Sequence, residues 1–280
     1  MPLISRVLQA CRSNPWAYLA LAVGLTWAFW VPAAFSSHHF LLQILGGVCG
    51  AALPPILVTS LACTREERRD YWVRLIDPKR IGGRWWAVIL LAYPLFGAIG
   101  ATGHVLAGGN LSFLEAAAGY LASPLKLLPL AGGLLLFGPL PEEISWRGFA
   151  LDRLQARYSA LASGLMLGLV WSLWHLPLFF VEDTYQQTEL PPGSVRFFLF
   201  FITLIAESVI TSWIYNATNR STLSAVLFHF MANFMGQFLN LPDGAERYKS
   251  LAIVAAAGVL AAVYGPRLAS PRAPSVKPAA

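Results

Sequence analysis

The chain has 280 residues, 56% of them hydrophobic and only 12% charged, where a soluble domain carries about 25% charged residues. That deficit excludes an ordinary soluble enzyme. The formal charge of +6 does not point to nucleic acid, because the basic residues sit in short segments between long apolar runs and form no RNA- or DNA-binding pattern.

Apolar runs of 18 or more residues are long enough to cross the ~30 Å hydrocarbon layer as helices. In chain order they cover residues 16–35, residues 40–63 with Pro54 and Pro55 inside, residues 85–107, a fourth run beginning near Leu127, then 160–181, 197–215, 223–241 and 251–265. A charged loop at 64–84 separates the second from the third. The eighth run is short and alanine-rich. The pattern predicts an all-α, polytopic transmembrane bundle of about eight spans. It forms one domain over residues 1–266, with a core at 127–241, and residues 267–280 read as a disordered, proline-rich tail. The first run is too long for the apolar stretch of a cleavable signal peptide. No internal repeat is found, which weighs against many transporter folds. Cys11, Cys49 and Cys63 have neither disulfide nor zinc spacing.

Placing the N-terminus in the cytoplasm and alternating eight spans puts the 20 Lys and Arg residues on the inner side, except Lys126, Arg196, Arg247 and Lys249. This is the asymmetry of the positive-inside rule. Both termini are therefore expected in the cytoplasm, and the composition suggests a bacterial inner membrane.

Ionisable groups inside spans cost a few kcal/mol each at mid-depth and are functional candidates by default. The fourth span carries Gly138-Pro139-Leu140-Pro141-Glu142-Glu143-Ile144-Ser145-Trp146-Arg147. The prolines predict a broken helix that restarts with Pro141 at its first position. Glu142 and Glu143 then fall in the first turn, where the helix dipole favours carboxylates. Glu143 and Arg147 are four apart, the order that favours an ion pair on one face, and Glu142 points about 100° away. The competing reading is a solvated cap at the cytoplasmic helix end. The fifth span holds His175 after Trp171, and packing alone could explain that histidine. In the seventh, His229 and Asn233 share a helix face, a pattern that inter-helix hydrogen bonding also produces. Glu207, with Ser208 and Thr211, reads as structural or as lining a water cavity. His38, His39 and His104 are weaker candidates.

Together Glu142, Glu143, Arg147, His175, His229 and Asn233 can do peptide hydrolysis. A carboxylate and an imidazole can hold and deprotonate water, and an imidazole and a carboxamide can donate to the oxyanion. Glu142, His175 and His229 could instead ligate zinc. Other intramembrane chemistries lack their signatures: there is no H-E-x-x-H helix, no G-x-S-x-G turn and no pair of intramembrane aspartates.

Glu142-Glu143-x-x-x-Arg147, Trp171-x-x-x-His175 and His229-x-x-x-Asn233, in that order on the fourth, fifth and seventh spans, resemble the motifs of the CAAX protease and bacteriocin-processing (CPBP) family of intramembrane endopeptidases. Eukaryotic members of that family are type II CAAX prenyl proteases. The second motif often begins with Phe, and Trp171 is taken as a change at a packing position. The resemblance spans about 139–241; the first three spans match only in being apolar. It implies an eight-helix fold with a catalytic cavity within the membrane, Glu142 as general base aided by His175, His229 and Asn233 as oxyanion donors, and Glu143 with Arg147 as supporting residues. Asn233 is a poor zinc ligand and a natural oxyanion donor, so a metal-independent mechanism without cofactor is expected. The expected partners are the lipid bilayer and a peptide or prenylated protein substrate. The alternatives are a non-proteolytic bacteriocin-immunity or scaffold protein of the same family, which the intact motif set disfavours, and a small transporter.

Overall fold

The computed structural model describes residues 3–268, and among these residues there is helix but no strand. Fifteen α-helices follow one another, and eight passages are long and apolar enough to cross a membrane. The chain is an integral membrane protein with an all-α, polytopic fold. Helices α1 (Leu3–Ser13), α2 (Pro15–Ala33), α3 (His39–Leu45), α4 (Ala51–Ala62), α5 (Arg65–Ile76), α6 (Gly83–Leu106) and α7 (Leu114–Ala122) precede the motif-bearing region. That region comprises α8 (Leu127–Phe137), α9 (Pro139–Ser145), α10 (Leu151–Gln155), α11 (Ala160–Trp174), α12 (Tyr185–Glu189), α13 (Val195–Ala217) and α14 (Thr222–Leu239), and α15 (Asp243–Tyr264) comes after it.

Four expectations need correction. The segment 64–84 is not a plain loop, because Thr64 and Glu67 close a capping box that starts α5: Glu67 N donates to Thr64 Oγ1 at 3.2 Å, and Thr64 N to Glu67 Oε2 at 2.7 Å. Two orphan donors are satisfied at once. The eighth span is not short, since α15 runs 22 residues and begins with Asp243 and Glu246 in its first turn, where carboxylates complement the dipole. The fourth helix restarts at Pro139 rather than Pro141. Proline at the first helical position forfeits an N–H that would be unpaired anyway, so the earlier proline serves. Glu142 lies in that first turn and Glu143 just beyond it. Of the tail expected from 267, Arg267 closes a short 3-10 turn and Leu268 is fully buried; the remainder lies outside the described residues.

Two apolar clusters hold the bundle. One gathers Tyr18, Trp30, Trp146, Phe149, Trp171 and Trp174, and the other Ile89, Tyr93, Phe96, Ile214, Phe228 and Ile253. The residues of the three motifs sit along the seam between them. In lipid, helices associate by close packing rather than by hydrophobic transfer. Gly164 and Gly168 show this on α11: a Cβ at Gly168 would lie 2.8 Å from the Ile205 Cα, so the backbone of α13 comes within the space a side chain would need.

The charges sort to two ends. At one end Arg12 pairs with Glu67 at 3.1 Å, Arg74 with Asp152 at 3.0 Å, and Arg153 Nε donates to Arg12 O at 2.9 Å. Arg80 donates to Asn219 O at 2.7 Å, and Leu268 packs in the same cluster as Ile81 and Trp85. At the other end Arg196 pairs with Asp243 at 2.7 Å and Glu189 at 3.2 Å, and Lys249 with Glu246 at 2.7 Å. Segments that the charge asymmetry assigns to one side do converge, as an even number of crossings requires. The expected outcome in membranes comes from that asymmetry. With Cys11, Cys49 and Cys63 changed to serine, a cysteine at Lys79 is labelled only from the cytoplasmic side and one at Glu182 only from the outside. Labelling of both from one side would break the eight-span topology.

Candidate active site

The break at Gly138 turns the chain from α8, which has no fully buried residue, into α9, where Glu142, Glu143, Ile144 and Ser145 are all buried. Glycine suits the corner for want of room: a Cβ there would stand 3.2 Å from Asn233 Nδ2. Past Ser145 the helix widens into a π turn, Trp146–Ala150, in which Leu151 N–H reaches back five residues to Trp146 O. Such single-turn bulges occur frequently at functional sites.

Glu142 and Glu143 point to different partners. Glu143 is fully enclosed and holds Arg147, with Arg147 Nη1 at 2.8 and 3.1 Å from its two carboxylate oxygens. Arg147, also fully enclosed, donates from Nη2 to Ser208 O of α13 at 3.4 Å and lies over the Trp171 ring, 5.3 Å from its centroid. The pair expected from the four-residue spacing is therefore present, and its burial overturns the solvated-cap reading. His229 Nδ1 sits 3.0 Å from Glu143 Oε1. An ionised carboxylate can only accept, so Nδ1 carries the proton and Nε2 is turned away from Glu143.

Glu142 accepts a hydrogen bond from Trp171 Nε1 at 2.6 Å. This contact was not legible in the sequence, where Trp171 read as a packing position. A tryptophan within helical reach of the histidine was the signal, because indole is a donor and a buried N–H seeks an acceptor. The Trp171 ring also meets the His229 ring edge-on at 5.1 Å. His175 ends α11, with Nδ1 2.9 Å from Trp171 O. A backbone carbonyl only accepts, so this ring is protonated on Nδ1 and its neutral form offers the Nε2 lone pair. Asn233 is half-buried one turn beyond His229, against Gly138. The structure thus brings all six sequence candidates to one seam, drawn from α9, its π turn, α11 and α14. Glu207, left without a partner in the sequence, faces Tyr93 of α6. His104 lies against Gly109 and Gly244 at the far end of α6, and His39 pairs with Asp183 at 3.6 Å, both apart from the seam. Among the described residues, no group of three or more His, Cys, Asp or Glu side chains that could hold a metal ion is found.

Residues 124–235 match the family model described as type II CAAX prenyl endopeptidase Rce1-like. The motif-bearing region is Rce1-like. The matched segment contains all three motifs. The chain is also similar to a protein named CAAX prenyl protease 2 from Methanococcus maripaludis, 28% identical over 263 residues that cover 91% of this chain and 96% of that protein. The likeness therefore extends beyond residues 139–241, into spans that had seemed alike only in being apolar.

Removing one partner of a buried ion pair leaves an uncompensated charge and costs about 3–5 kcal/mol. Glu143→Gln is expected to lower the thermal unfolding temperature in detergent, and Glu143→Gln combined with Arg147→Met to recover part of the loss, because both charges leave together. Equal stability of Glu143→Gln and wild type would contradict the buried pair.

Proposed function

We propose that the chain is an intramembrane endopeptidase in which Glu142 acts as the general base. The observation that carries this is the division of labour between neighbouring carboxylates. Glu143 is neutralised by Arg147, whereas Glu142 has no arginine or lysine paired with it among the described residues and accepts from the Trp171 N–H. A carboxylate held in a largely apolar seam by one donor retains lone pairs for water.

In this reading a water bonded to Glu142 gives up its proton to the carboxylate as its oxygen adds to the scissile carbonyl carbon. His175, with its Nε2 lone pair, helps orient that water. The carbonyl oxygen becomes an oxyanion, which the Asn233 amide can meet as a donor. His229 donates from Nε2 when its ring carries both protons, with Glu143 as the counter-charge. The proton held by Glu142 then passes to the leaving nitrogen as the C–N bond breaks, which returns the carboxylate. Glu143 and Arg147 keep α9 and α14 in register and take no part in proton transfer. No metal or other cofactor enters this scheme.

The substrate is inferred by likeness. The relative's name and the family description both specify CAAX prenyl endopeptidases, so we propose cleavage near the C-terminus of a prenylated or otherwise membrane-associated peptide. We further propose that the basic end of the bundle, with both termini, faces the cytoplasm.

Glu142→Gln is nearly isosteric but cannot accept the proton from water. It is expected to abolish cleavage of a farnesylated CAAX peptide in detergent while leaving the protein folded and peptide-binding intact. Retention of turnover would reverse the assignment of the base. Chelator treatment followed by dialysis is expected to leave the wild-type rate unchanged, and a rate lost and then restored by zinc would make the same residues ligands. Trp171→Phe keeps an aromatic ring but removes the donor on Glu142. One such hydrogen bond corresponds to a fall in rate of about tenfold, at little cost in thermal stability.

A further inference from the structure

Helix α5 lies outside the family-matched residues 124–235, yet its buried face lies against the motif helix. Tyr71 Oη donates to Ile144 O at 3.0 Å, and Arg74 Nη2 donates to Gly148 O at 3.0 Å. Tyr71 and Arg74 are three apart and share a helix face. The Tyr71 ring closes on the same turn, since a Cβ at Gly148 would stand 3.2 Å from its edge. Arg74 is itself anchored, by Asp70 at 2.9 Å, by Asp152 at 3.0 Å and by the Tyr215 hydroxyl. Tyr215 in turn donates to Asp152 at 2.8 Å. Carbon, charge and hydroxyl groups therefore tie α5 to α10 and α13 at the point where the helix is widened.

The two carbonyls that α5 holds bracket Arg147, one just before the π turn at Ile144 and one within it at Gly148. A π turn is rare because its ladder is out of step with the α-helix on either side, and buried carbonyls that tilt out of the ladder need partners elsewhere. Tyr71 donates to the Ile144 carbonyl and Arg74 to the Gly148 carbonyl. Relaxing the turn to an α-helix would remove one residue from the widened loop and rotate the helix before it by about 100° relative to the helix after it. Glu142 and Glu143 precede the turn, and Trp171, His175 and His229 belong to other helices. The carboxylates would lose their partners.

We propose that Tyr71 and Arg74 are positioning residues, which hold the π turn through the carbonyls of Ile144 and Gly148 and so aim Glu142 at the reacting water. The proposal rests on the proteolytic reading of the site. Neither residue touches substrate in it.

The test is Tyr71→Phe, which removes one hydroxyl and keeps the ring against Gly148. Its kcat is expected to fall about tenfold, the worth of one buried hydrogen bond, with KM within about a factor of two and thermal unfolding close to wild type. Arg74→Lys keeps the charge but not the reach to Gly148 O, and is expected to fall in the same direction. Trp72→Phe, on the exposed side of α5, is expected to match wild type. Amide hydrogen exchange gives a readout independent of cleavage. In Tyr71→Phe the peptide over residues 142–150 should exchange faster while α6 is unchanged. Unaltered kcat with unaltered exchange overturns the proposal. So does a loss of kcat that is matched by lowered stability and faster exchange throughout, which would make α5 a general prop. If wild type cleaves no CAAX peptide, the proteolytic reading fails, and the exchange measurement still decides whether Tyr71 holds the turn.

Discussion

Glu143 and Arg147 bear opposite charges in a place where water does not reach them, and most of the site's geometry answers that condition. A desolvated ion pair is tolerable only with close geometry and with further hydrogen-bond partners. Glu143 Oε1 accepts from both Arg147 and His229, and its Oε2 from Arg147. Arg147 spreads its donors between Glu143 and the Ser208 carbonyl and rests on Trp171; its Nε is left buried without a partner. Each of these contacts comes from a different helix. The demand of one pair for company thereby sets α9 against α11, α13 and α14, and the proposed catalytic groups lie on α9, at the end of α11 and on α14.

The neighbouring carboxylates illustrate how a short sequence can separate structure from chemistry. Two adjacent residues on a helix face about 100° apart, so one cation can satisfy only one of them. The first carboxylate meets a single neutral donor, the Trp171 indole, and the second meets Arg147 and an imidazole. Trp171 belongs to both arrangements: its N–H serves Glu142, its ring face Arg147, and its carbonyl His175. This is why a tryptophan at that position is more than bulk.

Much of this was legible in the residues themselves. Eight apolar runs, the four-residue spacing of Glu143 and Arg147, and the shared face of His229 and Asn233 come directly from length and helical period. What escaped did so for physical reasons. Charge density marked residues 64–84 as loop, although Thr64 and Glu67 stand at the spacing of a capping box, and a helix outside the spans offered no apolar period to count. The restart of the fourth helix was placed two residues late because both prolines satisfy the same local rule. The bond from Trp171 to Glu142 joins residues 29 apart in the chain, and no local rule reaches that far. The π turn was invisible because its stabilising partners come from another segment.

The corner at Gly138 has a consequence for the bilayer. The fourth passage, Pro124–Gln155, has 32 residues and as one straight helix would measure about 48 Å, well beyond the ~30 Å hydrocarbon layer. Because the helix is broken, its excess length is carried by α8, which has no side chain locked in the core, while α9 on the other side of the corner is fixed by its buried charges. For this passage, a change in lipid thickness can be met by a change in the tilt of α8. The corner thus separates the length carried by α8 from the buried carboxylates of α9.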